Sequence, residues 1–250
     1  MNDPKRLKEI DVYISPKKAI QRMLGVIEKY GFDEATRART FQQTREAWVA
    51  AIFLINQTNL TNKLYWLKSN PDPKDVPDVY AVSYRSPRVK SNEIGIVQKV
   101  LLIEVSEYHE QAHLSLAENI IRKLKYKKYH KDTVLIYYLD THKTFTFVIN
   151  DVVSELNKHN LDIAQIWLMF HPLEQSETVN NLIKVFPNGY SGVQQVNHLF
   201  LLKNNSPIEG SAIDYALYNQ PDFLKPERGG NSEPIIEHFG DAIIPLPEKI

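Results

Sequence analysis

The stretch KVLLIEVSEYHEQAH, residues Lys99–His113, begins as an apolar run and continues as a charged segment. Its apolar side chains fall on both faces of a strand, with Val100 and Leu102 on one face and Leu101 and Ile103 on the other. A strand without a polar face belongs in the middle of a sheet that is covered on both sides. The segment therefore predicts a central strand with a helical layer above and below it.

The neighbouring segments predict an α/β fold. Residues from about His109 to Lys127 have apolar side chains at helical spacing, and Asp132–Asp140 is a second strand without a polar face. A strand, a helix and a strand of this length predict a parallel pair. On the N-terminal side, Thr40–Gln57 predicts a helix, and Lys63–Ser69 and Asp78–Arg85 predict two short strands. The predicted order is α-β-β-β-α-β.

The sequence also predicts additions to this core. Residues 1–39 are predicted as an N-terminal helical extension, residues 40–202 as the α/β core and residues 203–250 as an extended arm rich in Pro, Gly and Asn. Within the core, Thr144–Asn150 has the pattern of a strand, and Asp151–His159 has that of a short helix. The sequence contains no internal repeat.

Composition excludes several classes of protein. The 250 residues include no cysteine, which excludes disulfides, thiolate zinc sites and cysteine nucleophiles. The 30 Lys and Arg balance the 30 Asp and Glu, so a nucleic-acid surface would have to be local. No apolar run approaches the roughly 20 residues that span a bilayer, and the first residues lack a secretory signal. We therefore expect a soluble, cytoplasmic protein with no membrane partner.

Three carboxylates occupy positions that suit metal-dependent hydrolysis. Asp78 opens one predicted strand, Glu104 lies near the end of the next, and Glu46 lies on the preceding helix. Phosphodiester hydrolysis uses carboxylates that converge on magnesium, together with a group that orients the attacking water. The alternative is structural, because a glutamate at a strand end and an aspartate after proline are also ordinary surface and turn residues.

With these residues in this order, the chain resembles the PD-(D/E)XK, or restriction-endonuclease-like, nuclease superfamily. VPDVYAVSY would supply the PD element and LLIEVS the (D/E)XK element, and the family's core has the same α-β-β-β-α-β order around a mixed central sheet. The resemblance covers roughly Thr40–Asp140. It implies that Asp78 and Glu104 are catalytic metal ligands, that Glu46 is an accessory ligand, and that the cofactor is Mg²⁺ or Mn²⁺.

The chain departs from this family at the lysine. The family places it two residues after the strand acid, where this sequence has Ser106. Members of the superfamily relocate or replace that lysine, and Lys123 on the following helix is our candidate for its role. Lys99 is a poor candidate, because a strand of period two places it on the face opposite Glu104. Ser106 favours the alternative that the fold is retained without catalysis.

The string His109-Glu110-Gln111-Ala112-His113 offers a second chemistry. On a helix, the two histidines would lie about 40° apart, so both could bind one zinc ion with Glu110 as general base. A third protein ligand is missing from the same helix face, because Glu118 lies near 180° from His109. We therefore keep zinc as the less favoured alternative to two histidines on an exposed turn.

The chain has one concentrated basic surface, RKLKYKKYHK at Arg122–Lys131, which alternates with tyrosines. Such a surface could follow a phosphate backbone, although lysines also stabilise the C-terminus of a helix through its dipole. The predicted nucleic-acid contacts are Arg85, Arg88, Lys90, Arg122, Lys125, Lys127 and Lys128.

These observations lead to three hypotheses. The first is a divalent-metal-dependent nuclease that hydrolyses DNA, with a restriction, repair or phage-defence role by analogy with the superfamily. The second is an inactive nuclease fold that either binds nucleic acid or uses its C-terminal arm to form a homodimer or to bind a protein partner. The third is a zinc metallohydrolase that uses His109, Glu110 and His113.

Overall fold

The computed structural model describes residues 14–61, 65–72, 75–85, 95–108, 114–139, 147–171, 179–197 and 235–237. These ranges contain a mixed β-sheet with helices on both faces, which confirms the predicted α/β class. No helix within them is long and apolar enough to cross a bilayer.

The helices are numbered in chain order. They are α1 (Pro16–Tyr30), α2 (Phe32–Arg37), α3 (Gln42–Thr61), α4 (Leu116–Tyr126) and α5 (Ile149–Asn157), and a 3₁₀ turn at Arg39–Phe41 leads into α3.

The strands follow the order of the chain across the sheet. They are β1 (Trp66–Ser69), β2 (Val79–Arg85), β3 (Gly95–Glu107), β4 (Thr133–Leu139), β5 (Gln165–Phe170), β6 (Val179–Phe186) and β7 (Gln194–Asn197), with β8 (Ile235–Glu237) beside the start of β3. The pairs β3–β4 and β4–β5 are parallel, whereas β1–β2, β2–β3, β5–β6 and β6–β7 are antiparallel. The predicted parallel pair of β3 and β4 is confirmed.

The sheet separates two apolar cores, as the central strands illustrate. Along β4, Val134 and Ile136 join a cluster with α1 and α3, whereas Leu135 and Tyr137 join a cluster with α4 and α5. Every residue of β4 is buried. Period-two alternation with both faces apolar therefore explains the central position of this strand.

One helix of each layer begins at a serine cap. The Ser15 hydroxyl accepts a hydrogen bond from the Lys18 amide at the start of α1, at 3.2 Å. At the start of α4, Ser115 and Glu118 form a reciprocal capping box, in which each side chain accepts from the other residue's amide. These caps satisfy amides that a helix leaves unpaired at its N-terminus.

The structure corrects two predicted boundaries. Helix α4 begins at Leu116 and not at His109, because Ser115 is in an extended conformation and caps the helix. The strand predicted at Thr144–Asn150 is wrong at its end, since Ile149 and Asn150 open α5. Residues 140–146 lie outside the described ranges, as does the predicted arm apart from β8.

The helix predicted in the N-terminal extension is confirmed as α1. It buries Ala19, Ile20 and Met23 in the same apolar cluster as α3 and the sheet. This helix is therefore part of the core that supports β3.

Candidate functional site

The register of β2 and β3 brings two of the predicted acids together. Val79 pairs with Ile103 in this antiparallel ladder, so Asp78, one residue earlier, lies across from Glu104, one residue later. Asp78 is held in place because its Oδ2 accepts a hydrogen bond of 2.8 Å from the Val105 amide.

Glu104 lies in the α4 and α5 layer of the protein. Its parallel partner on β4 is Leu135, which belongs to the apolar cluster with α4 and α5. Glu104 itself is 0% exposed. The Oε1 atom of Glu104 accepts a hydrogen bond of 2.9 Å from the Lys127 ammonium. Its Oε2 atom is buried and has no hydrogen-bond partner among the described residues. Glu104 therefore keeps one open acceptor inside the protein.

Lys127 places a positive charge beside Glu104. Ser106, two residues after Glu104, is buried on β3, whereas Lys127 follows the last turn of α4. Burial by itself would lower the pKa of Lys127, but its hydrogen bond to Glu104 and the nearby carboxylate charges raise the pKa overall. The ammonium therefore stays charged at neutral pH.

Glu46 adds a third carboxylate from α3. It is buried, and its Oε1 atom accepts a hydrogen bond of 2.8 Å from the Gln42 side chain. Burial raises the pKa of Glu46, the charge of Glu104 raises it further, and the Gln42 hydrogen bond opposes the rise. We call Asp78, Glu104, Glu46 and Lys127 the carboxylate cluster.

Asp78 has the most perturbed titration in this cluster. Burial, followed by the charges of Glu104 and Glu46, raises its pKa from 3.8 to about 8, against the opposing effects of the Val105 amide and Lys127. Asp78 therefore holds a proton at neutral pH unless another positive charge comes close. Three carboxylates with one ammonium carry two excess negative charges when all are ionised.

The structure does not bring Lys123 to the same carboxylates. Lys123 lies on α4, one turn before Lys127, and Lys127 is the lysine in contact with Glu104. Sequence reasoning named Lys127 only as a nucleic-acid contact. The available signal was its place at the C-terminal end of a helix that follows β3, and this place carries no information on where its side chain lies.

The described part of the basic surface lies around the C-terminus of α4. Arg122, Lys125 and Lys128 are exposed, and the Arg122 guanidinium is 5.7 Å from the centre of the Tyr126 ring. Arg85 ends β2, but its side chain lies outside the described residues, as do the predicted contacts Arg88 and Lys90.

The histidine motif also lies outside the described residues, since 109–113 are not among them. Its zinc chemistry stays a prediction. Within the ranges that the structure describes, which include Asp78, Glu104 and Glu46, no three His, Asp or Glu side chains form a group able to hold a metal ion by themselves.

Comparisons with protein-family models, with curated proteins and with solved structures give no match to this chain. The geometry of the carboxylate cluster is therefore the basis for assigning a function.

Proposed function

We propose that this protein is a divalent-metal-dependent nuclease whose core is of the restriction-endonuclease type. The observation that carries the proposal is the register of β2 and β3, which sets Asp78 across from Glu104, with Lys127 bonded to Glu104. Two acids on adjacent antiparallel strands with a lysine beside them are the arrangement that the PD and (D/E)XK elements would form.

The topology around the cluster supports the same proposal. The chain runs α3, β1, β2, β3, α4 and β4, with an antiparallel β1–β2–β3 sheet and a parallel β3–β4 pair. This order agrees with the core expected from the resemblance to the PD-(D/E)XK superfamily. In this proposal, Lys127 takes the role of the motif lysine, because Ser106 occupies the position of that lysine in this sequence.

The residues present fit a magnesium ion. Asp78 and Glu104 would hold it, because Glu104 has a buried oxygen without a hydrogen-bond partner and Asp78 gains a proton when no cation balances its neighbours. Magnesium is usually bound by one or two carboxylates, waters and a substrate phosphate. When bound, it lowers the pKa of coordinated water and stabilises the charge that develops on the phosphate. Glu46 is the candidate accessory acid.

The chain's own groups then have separate tasks. Hydrolysis forms a bond between phosphorus and the oxygen of the attacking water and breaks the bond between phosphorus and one ester oxygen, and one proton of the water ends on the ester oxygen that leaves. Lys127 has two N–H donors besides the one that bonds Glu104, and these can hold the water or a phosphate oxygen. Because its pKa is raised, Lys127 acts as a donor and as a positive charge, not as the base.

The exposed cations beside the cluster support a nucleic-acid substrate. Arg122, Lys125 and Lys128 lie near the end of α4, next to Lys127. A phosphate backbone bound there by charge would pass the carboxylate cluster, and its affinity would fall as salt rises.

The test is a cleavage assay on single- and double-stranded DNA and RNA with Mg²⁺, Mn²⁺ or Ca²⁺. We expect cleavage of DNA with Mg²⁺ or Mn²⁺ and a loss of about 10³-fold in the Asp78→Asn variant, since metal binding contributes several kcal/mol to the transition state. The matched control is Asp75→Asn, because Asp75 lies three residues earlier and is exposed.

Two results would overturn the proposal. One is a wild-type protein that cleaves none of the four substrates with Mg²⁺ or with Mn²⁺. The other is equal cleavage by Asp78→Asn and Asp75→Asn. Salt-dependent binding of nucleic acid without cleavage would instead support an inactive fold that binds nucleic acid.

A further inference from the structure

The segment after α4 brings a second side chain toward the carboxylate cluster. Lys127 has an extended backbone, with φ −119° and ψ 144°. Burial alternates along this segment, because Lys127 and Tyr129 are partly buried whereas Lys128 and His130 are exposed. Tyr129 and Lys127 are therefore the two side chains of the segment that turn toward the protein.

The Tyr129 hydroxyl is buried and has no hydrogen-bond partner among the described residues. Burial raises the pKa of this phenol, and the charges of Glu104 and Asp78 raise it further. The hydroxyl is therefore within the electrostatic reach of both carboxylates, and it remains a proton donor at any working pH.

A nearby tyrosine illustrates the usual arrangement for such a group. Tyr137 on β4 is also buried, and its hydroxyl donates to the Asn119 side chain at 2.6 Å. A buried hydroxyl without an acceptor is costly, so buried donors are normally paired. The cluster instead keeps an open donor on Tyr129 and an open acceptor on Glu104 Oε2, and these two groups do not bond each other.

A phosphate with its cation matches this pair of open groups. The cation would take the Glu104 oxygen, and the phosphate oxygens, which only accept hydrogen bonds, would take the phenol proton. Lys127, whose ammonium bonds Glu104, would provide a second donor.

We propose that the Tyr129 hydroxyl donates a hydrogen bond to a non-bridging oxygen of the scissile phosphate, and so is a catalytic residue of this site. This inference rests on the nuclease function proposed above. It assigns Tyr129 a role beyond those of the two acids and the lysine.

The primary test compares Tyr129→Phe with the wild type and with Tyr190→Phe in single-turnover DNA cleavage with Mg²⁺. Tyr190 is exposed near the start of β7, away from the cluster, and serves as the matched control. We expect Tyr129→Phe to lower the single-turnover rate constant at saturating enzyme about 10- to 100-fold, because it removes one hydrogen bond to a charged oxygen. The enzyme concentration that gives half of the maximal rate, and the thermal stability, should remain close to those of Tyr190→Phe.

A sulfur substitution separates contact with the phosphate from a structural role. Each phosphorothioate diastereomer replaces one non-bridging oxygen of the scissile phosphate by sulfur, which is a weaker acceptor. For the oxygen that Tyr129 contacts, the sulfur should slow the wild type and Tyr190→Phe but add little to the loss in Tyr129→Phe. A purely structural effect would multiply with the sulfur effect for both diastereomers.

The outcomes distinguish the two proposals. A wild type that cleaves nothing overturns the nuclease function and the role of Tyr129 together. An active wild type with Tyr129→Phe equal to Tyr190→Phe, or with multiplicative sulfur effects, overturns the role of Tyr129 alone. If Tyr129→Phe does not fold, the same measurements are made with 3-fluorotyrosine at position 129, which retains the ring and the hydroxyl but changes the strength of the hydroxyl as a donor. We then expect a changed cleavage rate and a changed sulfur effect for the diastereomer that Tyr129 contacts. An unchanged rate and sulfur pattern in that protein overturns the role.

Discussion

Two glutamates on β3, three residues apart, pair with cations in opposite layers of the protein. Glu104 lies in the α4 layer and bonds Lys127, whereas Glu107 forms an ion pair with Arg45 of α3. The Arg45 side chain is 8% exposed and that of Glu107 is 24% exposed. Odd spacing along a strand explains why the two carboxylates lie on opposite faces.

The difference between them is the balance of charge. Glu107 has the guanidinium of Arg45 beside its carboxylate, which is the arrangement of a structural ion pair. Glu104 shares Lys127 with Asp78. Burial lowers the pKa of Lys127, but its hydrogen bond to Glu104 and the nearby carboxylate charges raise that pKa overall. Burial and the charges of Glu104 and Glu46 raise the pKa of Asp78 to about 8. A buried group of acids with too few cations is unfavourable for stability and is typical of functional sites. The comparison therefore points to Glu104, and not to Glu107, as the functional glutamate.

The strongest test of this comparison is to neutralise each glutamate in turn. Glu104→Gln should lower metal-dependent DNA cleavage about 10³-fold, because it removes a proposed metal ligand. Glu107→Gln should keep the activity within about threefold and lower the free energy of unfolding by about 1–3 kcal/mol, because Arg45 loses its charged partner. Cleavage rates and urea unfolding measure the two effects, and equal losses of activity would contradict the comparison.

The second test uses two lysines one turn apart. Lys127→Met should reduce kcat about 10²-fold, the usual effect of losing a charged donor at the transition state. It should also lower the melting temperature, because Glu104 would remain buried without a cation. Lys123→Met is the matched control, and we expect its activity to stay near that of the wild type. A loss of activity in Lys123→Met without a loss in Lys127→Met would instead assign the role of the motif lysine to Lys123.

The third test follows the titration of Asp78. A carboxyl whose pKa is higher in the folded protein stabilises the fold fully below its unfolded pKa of 3.8, and this contribution is lost as pH rises through about 8. Between pH 5 and 7 the free energy of unfolding should therefore fall by up to about 1.4 kcal/mol per pH unit from this group. Urea unfolding of Asp78→Asn should lack that component, and identical pH profiles for the two proteins would contradict the raised pKa.

Much of the fold could be predicted from the sequence, because its central strands have unambiguous patterns. Leu101, Ile103 and their neighbours predict a strand buried on both faces, and the structure places β3 between β2 and β4. The start of α4 could also have been predicted, since Ser115 and Glu118 have the spacing of a capping box. The apolar periodicity extends upstream of that cap, and it outweighed the cap in the prediction.

The candidate site was predictable only where it depends on strands. The positions of Asp78 and Glu104 at neighbouring strand ends follow from local patterns, and the register brings them together. Lys127 is 23 residues from Glu104 in sequence, and its contact depends on which face α4 covers and on the extended backbone after that helix. Side-chain patterns along a single element do not contain this information. The orphaned Tyr129 hydroxyl was missed for the same reason.

The last test has the smallest expected effect, and it compares the serine caps of α4 and α1. Ser115→Ala and Ser15→Ala should each lower the free energy of unfolding by about 1 kcal/mol, because each removes the acceptor for an amide at a helix N-terminus. Only α4 leads directly into Lys127, so Ser115→Ala should also reduce cleavage by a few fold, while Ser15→Ala should not. Urea unfolding and single-turnover rates measure both quantities on the same samples. If both variants lose stability and neither loses activity, the end of α4 positions Lys127 without help from its cap, and the charge balance around Glu104 is sufficient to hold the lysine in place.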